Sequence, residues 1–382
     1  MTVQSGVLLG LEEEVFITEP TLPSIASLWY LAKLLWSRPL YYYTHSASNF
    51  ARGKDLYQGV MSGIEVSTQV HSTAADLVRD LAARRKELAK ASGGLVVATG
   101  HLFDIDAPTN TCGLHIHVGP VEEADLERTY SSLARFLPLL SLLTASSPLR
   151  GGRRFGQSYR VASSYAIGPL RAGDKKYRFQ DMIVSKRLGT IELRVFDPVW
   201  DLERVRVLAE CIQGVVRAAA EPGCALSWDE HTYAEERRLA ATEGYAGSLR
   251  QRYAELRDIV DVPEELFART ISDELYECWR RYGTLVTYTA LDRAYRHGVF
   301  DPDWAASAAG VPGAGAARTV VVGGPVAGKD KGKGKEKETA GIRRSRTTAF
   351  RGVLKFLQGL AGFVCYYVPK LPYIILKGLK EH

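Results

Sequence analysis

Three short apolar stretches each carry chemically capable residues two positions apart. They are Gly10-Leu11-Glu12-Glu13-Glu14-Val15-Phe16, Gly113-Leu114-His115-Ile116-His117-Val118-Gly119 and Gly189-Thr190-Ile191-Glu192-Leu193-Arg194-Val195-Phe196. In an extended strand, residues i and i+2 share a face. Glu12 then sides with Glu14, His115 with His117 and Glu192 with Arg194, while Glu13 points the other way. If the strands are neighbours, one sheet face gathers carboxylates, imidazoles and a guanidinium. Oxygen ligands suit Mg²⁺ or Mn²⁺, which bridge phosphates. Imidazole ligates metal or donates to phosphate, and the planar fork of arginine matches a phosphoryl group. The chemistry is that of an enzyme handling divalent metal and phosphate. Each motif alone also fits a plain role: a solvated strand edge, two satisfied histidines, or a surface ion pair worth little. Their joint occurrence in one chain carries the argument.

These strands need a frame. A strand is predicted over 6–18, and a helix over 24–36 stopped by Pro39. A further strand lies between Val60 and Val70. Ser72 reads as the N-cap of a helix whose Leu77, Val78, Leu81, Leu88 and Ala89 recur at helical spacing until Gly93-Gly94. Leu95 to Thr99 and 113–119 are strands. Glu122 to Ser146 is a long helix interrupted by Pro138. A strand at 189–197 precedes a helix from Asp201, and 230–298 is helical with a break at Pro263. The rhythm is not that of regular βαβ units. Gly-bounded strands with alternating polar and apolar sides imply an α+β fold, a largely antiparallel sheet with helices on one face.

Of 382 residues, 46% are hydrophobic and 24% charged, an ordinary globular composition. The five cysteines are scattered, odd in number and without a CxxC, which argues against a disulfide framework or a structural zinc site. With no secretory signal visible, the cytoplasm is the expected compartment. The net charge of +6 misleads as an average: residues 329–382 carry +9 and residues 1–328 carry −3. The basic character belongs to the tail, so specific nucleic-acid binding by the main body is not expected.

Composition divides the chain into a catalytic body at 1–304, an Ala/Gly then Lys/Gly-rich linker at 305–346, and an apolar-basic tail at 347–382. The longest uncharged run of the tail, Phe356 to Pro369, has 14 residues, short of the ~18–20 that span a bilayer. The readings of this tail are a helical pair closing the body, weak peripheral membrane contact, and unspecific nucleic-acid contact through the Lys run. The stretch Gly323 to Asp330 nearly matches a phosphate loop. However, Asp330 stands where Ser or Thr is required, and no helix start follows.

At these same residues the chain resembles the carboxylate–amine ligase family related to glutamate–cysteine ligase of the second type. The matching segments are Gly10 to Glu14, Glu65-Val66-Ser67-Thr68, Thr99-Gly100-His101-Leu102-Phe103 (imperfectly), Cys112 to Gly119, Arg135-Phe136-Leu137-Pro138 with Leu143 to Pro148, and Gly189 to Asp197. Their order covers about residues 5–220, and more loosely reaches 300.

The resemblance implies a glutamine synthetase/guanido kinase-like fold, a curved antiparallel sheet whose concave face holds ATP, divalent metal and an amino-acid substrate. Glu12, Glu14, Glu65 and Glu192 would be metal ligands, joined by one of His115 and His117. Arg194, with His117 and Lys186, would contact the nucleotide phosphates, and Glu192 and Arg194 would serve catalysis. Arg160, Thr68 and His101 would lie on the substrate side. The implied reaction joins a carboxylate, with the γ-carboxylate of glutamate as the family example, to an amine through an acyl phosphate, using ATP and Mg²⁺ or Mn²⁺. The segment Leu102 to Gly113 is shorter than the family's substrate-selecting loop. Asp181 to Lys186 replaces a family Arg-Pro, for which Lys186 or Arg187 would compensate. The resemblance therefore carries metal and ATP chemistry further than it carries glutamate and cysteine. Two readings compete on the same fold: a small-molecule kinase that stops at phosphoryl transfer, and a silent amino-acid or nucleotide sensor. Small-molecule carboxylate and amine are the expected partners, and self-association is left open.

Overall fold

The computed structural model describes residues 6–24, 26–49, 63–106, 111–163, 181–185, 189–221 and 227–311, with isolated positions between 357 and 368. At its centre a seven-stranded sheet runs β2 (Ser46–Asn49), β3 (Gly63–Ser67), β1 (Leu8–Thr18), β5 (Leu114–Gly119), β9 (Thr190–Phe196) and β8 (Met182–Ser185). The remaining strand, β4 (Leu95–Val97), pairs with the distal end of β1, and every pairing is antiparallel. A hairpin of β6 (Leu149–Arg150) and β7 (Arg153–Arg154) stands apart. The α+β architecture expected from the strand pattern is the one observed.

Alternation along the strands sets the layers. Leu9 and Leu11 of β1, Leu114, Ile116 and Val118 of β5, and Ile191 and Leu193 of β9 enter one core. They meet Leu77 and Leu81 of α3 (Ala74–Ala91), Leu133 and Leu137 of α4 (Glu123–Leu140), and Leu208 and Ile212 of α6 (Leu202–Ala220). Each such side chain contributes about 1.5–3 kcal/mol of burial, so the sheet is held from this face and its other face is free to carry polar groups. α1 (Ser27–Ser37) and α2 (Pro39–His45) cover the β4 end, where Leu31, Leu34 and Tyr42 pack on Val15 and Val96.

Several boundaries move for identifiable reasons. Pro39 ends one helix and begins the next, occupying the first helical position where its missing N–H costs nothing. Thr73, not Ser72, caps α3 by accepting from Asp76 N at 3.1 Å. Pro138 does not interrupt α4, which runs on to Leu140 before a 3-10 turn at Ser141–Leu143. Asp201 caps α6 as expected. After α5 (Tyr159–Ser163) and α6, the helical region divides into α7 (Glu230–Thr242), α8 (Ser248–Arg257), α9 (Glu265–Ala268) and α10 (Ile271–His297), the last broken at Gly283.

α11 (Pro302–Ala308) packs Ala305 and Ala306 against Val286 and Ala290. The phosphate-loop look-alike and most of the tail lie outside the described residues. Of the described tail positions, Gly362 sits where a side chain would begin 2.3 Å from the Leu28 carbonyl carbon of α1. Among the described residues, no helix is long and apolar enough to cross a membrane.

Candidate active site

The register brings the three motifs together with a fourth. Glu14 lies directly opposite Glu65 on β3, and Glu12 opposite His115 on β5. His117 lies opposite both Gly10 on β1 and Glu192 on β9. One face of four adjacent strands thus presents Glu65, Glu14, Glu12, His115, His117, Glu192 and Arg194. Gly10 leaves the position facing His117 without a side chain, and its own added Cβ would stand 3.8 Å from the His117 Cβ.

His115 Nδ1 lies 3.5 Å from Glu12 Oε2 and 3.7 Å from Glu192 Oε1, and His117 Nε2 lies 3.4 Å from Glu12 Oε1. Both nitrogens are buried without a hydrogen-bond partner. Ligand atoms of Glu12, His115 and Glu192 all fall within 4.8 Å of one another. Buried nitrogens without hydrogen-bond partners, facing carboxylates, fit a divalent cation held by mixed oxygen and nitrogen donors.

Electrostatics mark the same place. Burial, then the charges of Glu12, Glu14 and Glu192, push the Glu65 carboxyl well above its usual range, against the opposing pull of Arg194. Burial also acts to raise Glu12, but the two imidazoles outweigh it and hold that group well below the carboxylate norm. Burial lowers His117, yet Glu12 and Glu192 overcome it and the imidazole titrates above its ordinary value. Arg194 pairs with Glu192 on this face. Glu14 Oε2 accepts from Gly113 N at 2.8 Å.

The other expected site residues separate. Thr68 is occupied in the sheet: its Oγ1 accepts from Leu11 N at 3.0 Å and donates to Leu11 O at 3.4 Å. His101 is fully buried against the Tyr159 ring, with centroids 4.7 Å apart. Arg160 commits its guanidinium to backbone carbonyls, and its Nε is buried without a partner. All three are buried, and Thr68 and Arg160 spend side-chain donors on backbone carbonyls. Lys186 lies outside the described residues. Sequence reasoning missed Asp197 as a hub, whose Oδ2 accepts from Ser146 N at 3.0 Å, Ser147 Oγ at 2.8 Å and Ser158 Oγ at 2.9 Å. It also missed Arg85, which reaches Glu13 from α3. Gly100 packs against Asp197, where an added Cβ would stand 2.3 Å from Oδ1, a contact that no local sequence pattern announces.

No family model matches the chain. It is 29% identical over 262 residues to a Rubrobacter xylanophilus protein named “Putative glutamate--cysteine ligase 2-3”, covering 55% of this chain and 71% of that protein. It is 27% identical over 212 residues to “Putative glutamate--cysteine ligase 2” of Thermobifida fusca, covering 41% of this chain and 52% of the relative. In structure it matches the glutamate–cysteine ligase of Francisella tularensis, solved in complex with AMP, with a TM-score of 0.52 and 12% identity over 79% of this chain and 91% of the other. The fold is therefore shared with a glutamate–cysteine ligase.

Proposed function

We propose that this chain, similar to the glutamate–cysteine ligase 2 proteins, is an ATP-dependent carboxylate–amine ligase. The observation that carries the reading is the charge imbalance of the site face, where Glu12, Glu14, Glu65 and Glu192 face Arg194 and two imidazoles. Ionised groups are rarely recessed together without a compensating cation. Glu12, Glu14, Glu65, Glu192 and one of His115 and His117 would hold Mg²⁺ or Mn²⁺, which when bound neutralises phosphate charge.

A carboxylate is a poor acyl donor because its leaving group is poor. An oxygen of the substrate carboxylate attacks the γ-phosphorus of ATP, ADP departs, and an acyl phosphate forms. The amine then attacks the acyl carbon, phosphate leaves with the bonding pair, the nitrogen loses its proton, and an amide remains. With Glu192 as a metal ligand, Arg194 would be available to offset charge on the transferred phosphoryl group. The strands hold the reactants together, which supplies much of the rate by positioning. The γ-carboxylate of glutamate is the first carboxylate to test.

The test is ADP release with Mg²⁺ and ATP across amino acids supplied singly and in pairs, with products weighed by mass spectrometry. Turnover that requires a carboxylate and an amine together, with an amide product, is the expected result. ADP release with one substrate and a phosphorylated product would replace the ligase by a kinase. Ligand-induced stabilisation without ADP would replace it by a sensor.

A further inference from the structure

We infer that Arg160 is a positioning residue, clamping a bulge in β9 so that Glu192, Arg194 and His115 keep their mutual geometry. The inference rests on the metal-site reading proposed above. Between Leu114↔Phe196 and Ile116↔Leu193, β5 advances two residues while β9 advances three. The extra residue takes β9 out of ladder register at Arg194 and Val195, so Arg194 lies within the bulge and Glu192 just before it. A bulge leaves backbone groups without their ladder partners, and buried ones must be satisfied elsewhere.

Arg160 supplies those donors. Its Nη1 donates to Val195 O at 2.9 Å and Phe196 O at 3.1 Å, and its Nη2 donates to Arg194 O at 2.9 Å. A planar guanidinium suits three successive carbonyls where a point charge does not. The buried cation is balanced by Asp197 Oδ1, 3.7 Å from Nη1. It is anchored from behind as well: Arg160 N donates to Ser147 Oγ at 3.3 Å, and Ser147 Oγ donates to Asp197.

The same guanidinium reaches the metal-binding side. A Cβ added to Gly113 would stand 2.4 Å from Arg160 Nη2 and 2.7 Å from His115 Nε2. Gly113 is thus the gap through which Arg160 and His115 approach each other, and its N–H holds Glu14. One buried arginine fixes the β9 backbone and flanks the β5 histidine.

The experiment compares Arg160→Lys and Gly113→Ala, which disturb one contact from opposite sides, with Arg85→Lys on the other face of the sheet as control. Mn²⁺ affinity is measured by electron paramagnetic resonance titration, Mn·ATP affinity by calorimetry, and stability by urea unfolding. Partners behind metal ligands typically contribute about 10–100-fold in affinity. The expected result is a loss of that size for Mn²⁺ in both site variants. Arg85→Lys should lower the urea midpoint and leave Mn²⁺ binding unchanged. Wild-type affinity retained in a folded Arg160→Lys or Gly113→Ala protein would overturn the inference. So would a rise only in the KM for the carboxylate substrate, which would make Arg160 a substrate contact. Absence of Mn²⁺ binding in the wild type would remove the metal-site reading itself, and the inference with it.

Discussion

β1 carries three glutamates in succession, and its two faces treat them differently. Glu13 points into the core and is fully buried. Arg85 Nε donates to it at 3.0 Å, Arg85 Nη2 closes the fork, and the Tyr295 hydroxyl adds a third donor at 3.0 Å. The same guanidinium also donates to Val199 O at 2.6 Å and Trp200 O at 2.7 Å. Every charge there has its counter-charge inside the fold. On the opposite face, Glu12 and Glu14 join Glu65 and Glu192 with far less positive charge to match. Residue type does not separate the two roles; what stands across the strand does. A completed pair is scaffold, and an incomplete one is a binding site, because recessed charge left uncompensated costs free energy.

The comparison breaks first at the chemistry. Glu12→Gln and Glu192→Gln should fold and should lose ATP turnover by roughly 10³-fold, the equivalent of several kcal/mol of charge stabilisation. Steady-state ADP release beside a melting curve checks this. Full activity in both variants would remove the metal assignment.

The scaffold face should fail in stability instead. Arg85→Met leaves Glu13 buried and unpaired, which should cost about 3–5 kcal/mol in urea unfolding. Glu13→Leu combined with Arg85→Met should recover part of that loss, since no lone charge remains. Recovery should be incomplete, because the Val199 and Trp200 carbonyls also lose their donor. A double variant no more stable than Arg85→Met would show that the carbonyl contacts, not the ion pair, dominate.

Much of this was legible in the sequence, and the reasons are local. Period-2 alternation around Glu12, His115 and Glu192 announces strands and assigns their faces, so the site was readable once the strands were taken as neighbours. Glu65 entered the site by resemblance, and its register stands it opposite Glu14. What escaped depends on distance along the chain. Arg85 meets Glu13 from 72 positions away, and Arg160 meets the β9 carbonyls from 34 to 36 positions away. No periodicity encodes such contacts. Thr68 and Arg160 look like site residues for the same reason: a polar side chain beside a motif gives no sign of whether the backbone has already claimed it. The bulge in β9 is likewise silent in Gly189 to Phe196, since it is set by pairing with β5.

A smaller effect sharpens the contrast. Directly opposed like charges in a sheet destabilise by about 0.2–1 kcal/mol, so Glu65→Gln should raise the melting temperature of the metal-free protein while abolishing its stabilisation by Mg²⁺. The pH dependence follows with a definite sign. The folded carboxyl of Glu65 titrates above its ordinary value of 4.5, so the native state binds more protons than the unfolded chain above that pH. Metal-free stability should therefore fall as pH rises from there toward the raised value. His117, raised above 6.5, works in the same direction. Its contribution is complete below 6.5 and lost as pH rises through its folded value. Glu12 is depressed, so it acts in the opposite direction but only below 4.5, where its stabilisation is lost as pH falls. Urea midpoints measured at successive pH values, with and without saturating Mg²⁺, test this. The expected decline with pH in the metal-free protein should flatten with Mg²⁺ and weaken in Glu65→Gln. A flat metal-free profile would mean that the site face already balances its own charge, as the Glu13 face does.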